Sequence, residues 1–131
     1  MILTVDTNAY SALKRGHGRA RELMESADRL VIPILVVGEL IAGFRNGDRT
    51  KRNMDELEHF LSEPDVEIPP MDFSIADRYG QLVADLRRKG TPIPTNDIWI
   101  AATALENGAR LLTADRHFER IDGLMLFGLD G

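Results

Sequence analysis

Ile2-Leu3-Thr4-Val5-Asp6-Thr7-Asn8 is the stretch that decides the fold. Ile2–Val5 reads as a strand, Asp6 ends it, and Thr7 and Asn8 are residues that start helices. Near the other end the pattern recurs. Arg110–Thr113 reads as a strand, and Leu111-Leu112-Thr113-Ala114 runs straight into Asp115. Between them, strand and helix signals alternate. Helices are expected at Asn8–Lys14, Gly18–Ala27, Ile34–Phe44, Lys51–Leu61 and Asp97–Asn107. Another begins at Ser74-Ile75-Ala76-Asp77, which reads as a capping box, and ends at Gly90. Short strands are expected at Leu30–Ile32, Val66–Ile68 and Leu124–Phe127. Alternation of this kind predicts an α/β fold with a parallel sheet covered on both faces. In such sheets ligands gather at the carboxyl ends of strands, where the strand order reverses.

Two further acids lie against apolar segments. Glu39 sits inside Val36-Val37-Gly38-Glu39-Leu40-Ile41, and Asp97 opens Ile98-Trp99-Ile100-Ala101-Ala102. Carboxylates beside buried segments cost free energy unless something compensates them. Each has an ordinary structural reading. Asp6 caps the next helix, Glu39 pairs with an arginine such as Arg45, Asp97 complements a helix dipole, and Asp115 caps a short helix through His117, Phe118 and Glu119. Those readings do not explain why all four fall at strand ends or helix starts facing one edge. Four oxygen donors suit a hard cation, Mg²⁺ or Mn²⁺. Asp6 and Asp97 are the first choices as ligands and Asp115 the next. Glu39 is a ligand or a water-orienting group. Thr7, Asn8 and Thr113 are supporting or substrate-contacting residues. His17, His59 and His117 are too scattered for a zinc motif and read as surface residues. Trp99 reads as packing.

Composition narrows the field. The chain has 131 residues, 44% hydrophobic and 28% charged, with no cysteine. That is the profile of one soluble domain spanning 1–131, without disulfides or thiolate metal sites. No apolar run reaches the ~20 residues of a membrane helix. The start reads as a strand and not a signal peptide, so the default location is the cytoplasm. A net charge of −5 argues against a generic basic nucleic-acid binder. If cations neutralise the four acids, the remaining surface is nearly balanced. Basic clusters at Lys14, Arg15, Arg19 and Arg21, at Arg45, Arg49, Lys51 and Arg52, and at Arg87, Arg88 and Lys89 read as solvated faces, or as phosphate-contacting rims around an acidic centre.

Taken in order, Val5-Asp6-Thr7-Asn8, Gly38-Glu39-Leu40, Asn96-Asp97 leading into Ile100-Ala101-Ala102, and Leu111-Leu112-Thr113-Ala114-Asp115 before His117-Phe118 resemble the PIN-domain family, and more narrowly its VapC-type toxins. The resemblance spans essentially the whole chain. It implies a three-layer fold with five parallel strands in the order 3-2-1-4-5. It also implies Mg²⁺- or Mn²⁺-dependent endoribonuclease activity, a homodimer, and inhibition by a cognate VapB-type antitoxin. Asp6, Glu39, Asp97 and Asp115 stand where the family has its acids. The family often places a hydroxyl residue upstream of the helical glutamate; here the segment is Pro33-Ile34-Leu35-Val36-Val37, so no supporting hydroxyl is expected from it. In-line attack of water on phosphorus would expel the 3′-oxygen and leave a 5′-phosphate.

Three competing readings remain. A phosphoacceptor receiver domain needs adjacent acids after its first strand and a Lys closing its fifth, and neither is present. A non-catalytic metal- or partner-binding module would be marked by loss of an acid, and all four are here. A DNA-directed nuclease is compatible with the acids alone.

Overall fold

The computed structural model describes residues 1–130. The elements in chain order are β1 (Ile2–Val5), α1 (Thr7–Lys14), α2 (Gly18–Ser26), β2 (Arg29–Val31), α3 (Ile34–Arg45), α4 (Thr50–Leu61), β3 (Val66–Glu67), α5 (Phe73–Lys89), α6 (Thr95–Glu106), β4 (Arg110–Thr113), a 3₁₀ turn (Arg116–Arg120) and β5 (Leu126–Gly128). The five strands are all parallel, in the order β3-β2-β1-β4-β5.

The central pair is β1 and β4, with Leu3 opposite Arg110, Thr4 opposite Leu111 and Val5 opposite Leu112. Leu3, Val5, Leu111 and Leu112 are fully buried. Each such side chain contributes about 1.5–3 kcal/mol through burial, which is why strands of four residues hold the centre. From β1 the chain steps outward to β2 and β3, then returns across the sheet to β4. Right-handed crossovers in opposite directions place their helices on opposite faces. So α1 to α4 cover one face and α5 and α6 the other. The order reverses between β1 and β4, and a crevice opens outside their carboxyl ends.

On the second face, α5 and α6 pack against each other, with Tyr79 stacked on Trp99 at a centroid distance of 3.9 Å and 11° between planes. Trp99 is thus packing, as its sequence context suggested. Ile98, Ile100, Ala101, Ala102 and Ala104 bury most of α6, and buried Thr103 satisfies its hydroxyl on the Trp99 carbonyl at 2.9 Å. Gly90 ends α5 at φ +70°, a left-handed conformation that side chains rarely adopt.

Several boundaries differ from the sequence reading. The cap of α5 is Asp72, which accepts from the Ile75 N–H at 3.1 Å, and not Ser74. Both residue types cap well, and Asp72 lies nearer Pro69-Pro70, where no helix can run. α6 starts at Thr95, so Asp97 lies inside its first turn and does not open it. β3 is shorter than expected, and β5 runs from Leu126 to Gly128. No helix among the described residues is long and apolar enough to cross a membrane.

Candidate metal centre

Asp6 is the most buried of the four acids. It leaves β1 at the switch point, its backbone N–H still bonded to the Leu112 carbonyl at 3.3 Å. Its side chain is 6% exposed. One carboxylate oxygen, Oδ1, caps α1 by accepting from the Ala9 N–H at 2.9 Å. The other, Oδ2, accepts from the Thr113 hydroxyl at the end of β4. The Thr113 oxygen in turn accepts from the Asp115 N–H at 2.9 Å. One buried threonine therefore links the ends of the two central strands. The cap reading of Asp6 is correct and incomplete, because a cap needs only one of the two oxygens.

Glu39 projects from α3 and accepts from the Thr7 hydroxyl at 2.9 Å through Oε1. The supporting hydroxyl missing from Pro33–Val37 is supplied from α1. The sequence alternative that paired Glu39 with Arg45 is not what forms; no ion pair joins them among the described residues.

Asp97 and Asp115 form the open side. Asp115 caps the 3₁₀ turn by accepting from the His117 N–H at 2.8 Å through Oδ1. The turn is anchored by fully buried Phe118 and tied to the connector before α6 by Arg120, which donates to the Pro92 carbonyl at 3.1 Å. These ties bring Asp115 beside Asp97. His117 stands beside them with its ring 44% exposed, a surface residue as its sequence suggests, with one edge turned toward the acids. Its Nδ1 lies 3.1 Å from Asp115 Oδ1 and 3.8 Å from Asp97 Oδ2. One ligand atom each from Asp97, Asp115 and His117 fall within 4.8 Å of one another, a spacing a metal ion could bridge. A lone histidine carries no zinc-motif spacing, so spacing alone does not mark His117. The available signal was its place two residues after a capping acid and directly before a core phenylalanine. Asn8 is exposed on α1, and its side chain makes no hydrogen bond among the described residues.

The acids act on one another electrically. Burial is the main cause raising the Asp6 pKa above its ordinary value. Thr113 and the Ala9 N–H oppose that rise, and the charges of Asp115 and Glu39 add to it. Asp97 is also raised, first by burial, then by Asp115 and Glu39, with His117 opposing and Asp6 adding a little. No Lys or Arg forms an ion pair with any of the four acids among the described residues. Desolvated, mutually repelling carboxylates without a protein cation fit a divalent ion through oxygen donors.

Two surface features adjoin the acids. A cleft of about 550 Å³ beside Asp115 is lined by Thr113, Arg116, Glu119, Phe127 and Gly128, among others. Half-buried Arg19 reaches from α2 to its rim and donates to the Gly128 carbonyl at 2.7 Å. On the other side, a shallow groove of about 340 Å³ runs past Ile34, Leu35, Gly38 and Ala42 and ends at Glu39 and Asn96.

The family model for the PIN domain matches residues 3–124. Ribonuclease VapC2 of Rickettsia felis is 31% identical to this chain over 135 residues, covering 99% of each. The tRNA(fMet)-specific endonuclease VapC of Salmonella typhimurium is 34% identical over 102 residues, 77% of this chain and 76% of that one. In the solved structure of VapBC2 from Rickettsia felis bound to a DNA fragment from their promoter, a chain 30% identical superposes with a TM-score of 0.84, covering 98% of both.

Proposed function

The chain belongs to the PIN-domain family, and from that premise we propose that it is a divalent-metal-dependent endoribonuclease, the toxin of a type II toxin–antitoxin pair. It acts as a single domain, with cytoplasmic RNA as its substrate. The observation that carries this reading is the convergence of four carboxylates at the β1–β4 switch point, with no Lys or Arg paired to them among the described residues. The relatives are named for the same activity: a ribonuclease, and an endonuclease acting on tRNA(fMet).

Asp6, Asp97 and Asp115 would hold the cation, Mg²⁺ or Mn²⁺, with Glu39 at its margin. When bound, it supplies Lewis acidity to phosphodiester hydrolysis. The protein does the positioning. Thr113 fixes the Asp6 carboxylate through Oδ2 and the Asp115 backbone through its N–H. Thr7 holds Oε1 of Glu39, which leaves Oε2 to orient a water and accept its proton. That water attacks phosphorus in line, the 3′-oxygen leaves, and a 5′-phosphate remains. Arg19 and Arg116 line the way in for the RNA backbone beside Asp115. Unpaired, splayed RNA suits so open a cleft better than a duplex.

The apolar groove along α3 suits an amphipathic segment of a VapB-type antitoxin, whose basic side chain would reach Glu39 at its end. Exposed Phe73, Met71 and Ile68 offer apolar surface for a homodimer.

The test is cleavage of a total-RNA pool by the purified protein with Mg²⁺, with Mn²⁺ and with EDTA, alongside Asp6→Asn. Discrete fragments that need metal and vanish in the variant support the reading. Metal binding without RNA cleavage moves it to a non-catalytic module. Equal or better cleavage of DNA moves it to a DNA-directed nuclease. Cleavage that survives both EDTA and the substitution removes the four-acid site from the reaction.

A further inference from the structure

His117 carries a buried polar atom that the fold leaves without a partner. Its ring is 44% exposed, yet Nδ1 is buried and makes no hydrogen bond. The Nδ1 edge therefore faces inward and the Nε2 edge faces out. Asp115 Oδ1 is near enough to Nδ1 to bond, at 3.1 Å, but lies off the line along which a ring nitrogen donates. A buried nitrogen left in this state is costly unless something absent from the polypeptide uses it.

The surroundings say what that is. Nδ1 sits 3.1 Å from one carboxylate oxygen and 3.8 Å from another. Neighbouring ligands of an octahedral cation, with bonds of about 2.1 Å, lie about 3.0 Å apart, and opposite ones about 4.2 Å. The 3.1 Å spacing is that of neighbouring ligands, and the 3.8 Å one closes to it with a small rotation of the Asp97 carboxylate, which no hydrogen bond holds among the described residues. The position is also fixed from both sides: Asp115 caps the turn before His117, and Phe118 is buried directly after it. An imidazole with its proton on outward Nε2 presents a lone pair at Nδ1.

We infer that His117 donates Nδ1 as a nitrogen ligand to the cation held by Asp97 and Asp115. This rests on the metal-centre reading above and extends it. The donor set is then mixed, one nitrogen among oxygens. Imidazole suits the later transition metals best, and Mn²⁺, the weakest binder of the first-row divalent series, still takes a nitrogen donor more readily than Mg²⁺, which keeps to carboxylate and water. His117 thus biases the site toward Mn²⁺ over Mg²⁺. The competing role for the same side chain is a protonated counter-charge to the acids, which would repel a metal and not bind it.

The deciding experiment is pulsed electron paramagnetic resonance of Mn²⁺ bound to the full-length protein. Nitrogen-14 modulation from a directly bound imidazole is expected, changing to the nitrogen-15 pattern when the protein is grown with ¹⁵N-histidine. In His117→Gln the modulation disappears. By calorimetry, Mn²⁺ affinity falls about tenfold or more, and Mg²⁺ affinity falls less. Mn²⁺ bound without nitrogen modulation overturns the inference and leaves the metal centre standing. So does tighter metal binding by His117→Gln, the mark of a counter-charge. The wild-type spectrum decides the matter whether or not the variant folds. If Mn²⁺ fails to bind, or binds equally to Asp97→Asn, the metal-centre reading falls and this inference falls with it.

Discussion

Asp6 and Asp97 sit on two sides of one acid cluster and are held in different ways. Asp6 is 6% exposed, and both of its oxygens are already bonded, one to a helix N-terminus and one to a threonine hydroxyl. The Asp97 side chain is 19% exposed and has no hydrogen bond among the described residues, only His117 at 3.8 Å. The pKa of each is raised, and burial is the leading cause in both. Only at Asp6 do hydrogen bonds from the fold offset part of that cost. The closed side of the centre is thus built into the junction of β1, α1 and β4. The open side is left electrically unbalanced, and under the proposed function a cation would complete it.

The largest effect should come from the open side. Asp97→Asn is expected to lower metal-dependent RNA cleavage by about a thousandfold, since a lost metal contact is worth several kcal/mol of transition-state stabilisation. Its metal-free form should fold as well as the wild type or better, because one of four repelling charges is gone. Single-turnover cleavage together with denaturant unfolding checks both halves. A variant that cleaves normally would dissolve the distinction between the two sides.

Thr113→Val tests the closed side. It keeps the side-chain shape and removes one hydroxyl, stranding Asp6 Oδ2 and the Asp115 N–H together. Thr113 is 4% exposed, so water cannot readily replace it. A stability loss of about 1–3 kcal/mol is expected, with a cleavage loss of about 10–100-fold. Here stability and activity fall together, whereas Asp97→Asn separates them. If Thr113→Val cost activity alone, the closed side would not be part of the fold's own junction.

These two sides were not equally legible in the sequence. Asp6 and Thr113 were visible because they end apolar strands, and strand ends of a parallel sheet share an edge. The strand order came from family resemblance, and the β1–β4 register agrees with it. The open side depends on how a loop turns, which short-range pattern does not encode. His117 remains partly exposed, and only the 3₁₀ turn brings its Nδ1 beside Asp97 and Asp115. The Thr7–Glu39 bond joins residues 32 apart and needs α1 to lie against α3. Asp97 was found, but its helix begins two residues earlier than its apolar run suggests, because Pro94 sets the start and no side-chain cap marks it.

pH reads the strain on the open side directly. An acid whose pKa is raised on folding binds its proton more tightly when folded. The folded state therefore bears no penalty from it well below the ordinary value of 3.8. It loses stability as pH rises from there through the raised folded value. Without metal, Asp97→Asn should match the wild type in acid and gain on it as pH rises. Adding Mg²⁺ at neutral pH should erase or reverse that gain, because the cation binds the ionised form. Chemical denaturation of both proteins from about pH 2.5 to 8, with and without EDTA, reads this out. A gap that is constant with pH would mean Asp97 is not under strain in the empty centre.

The smallest effect contrasts the whole centre with the outer surface. Lys51 pairs with Asp55 at 3.0 Å, but the two side chains are 89% and 62% exposed. Water and salt screen such a pair, so charges at this surface matter far less than those in the desolvated crevice. Lys51→Ala should change stability by no more than about 0.5 kcal/mol and leave cleavage unaltered. The neighbouring Arg52–Glu56 pair, at 3.3 Å, is built the same way. Together they favour the solvated-face reading of this basic cluster over a phosphate-contacting rim. RNA affinity measured across a salt series decides between them. A rim lysine contributes about one unit to the slope of log affinity against log salt. A slope that drops by that amount in Lys51→Ala would extend the functional surface from the acidic crevice onto α4.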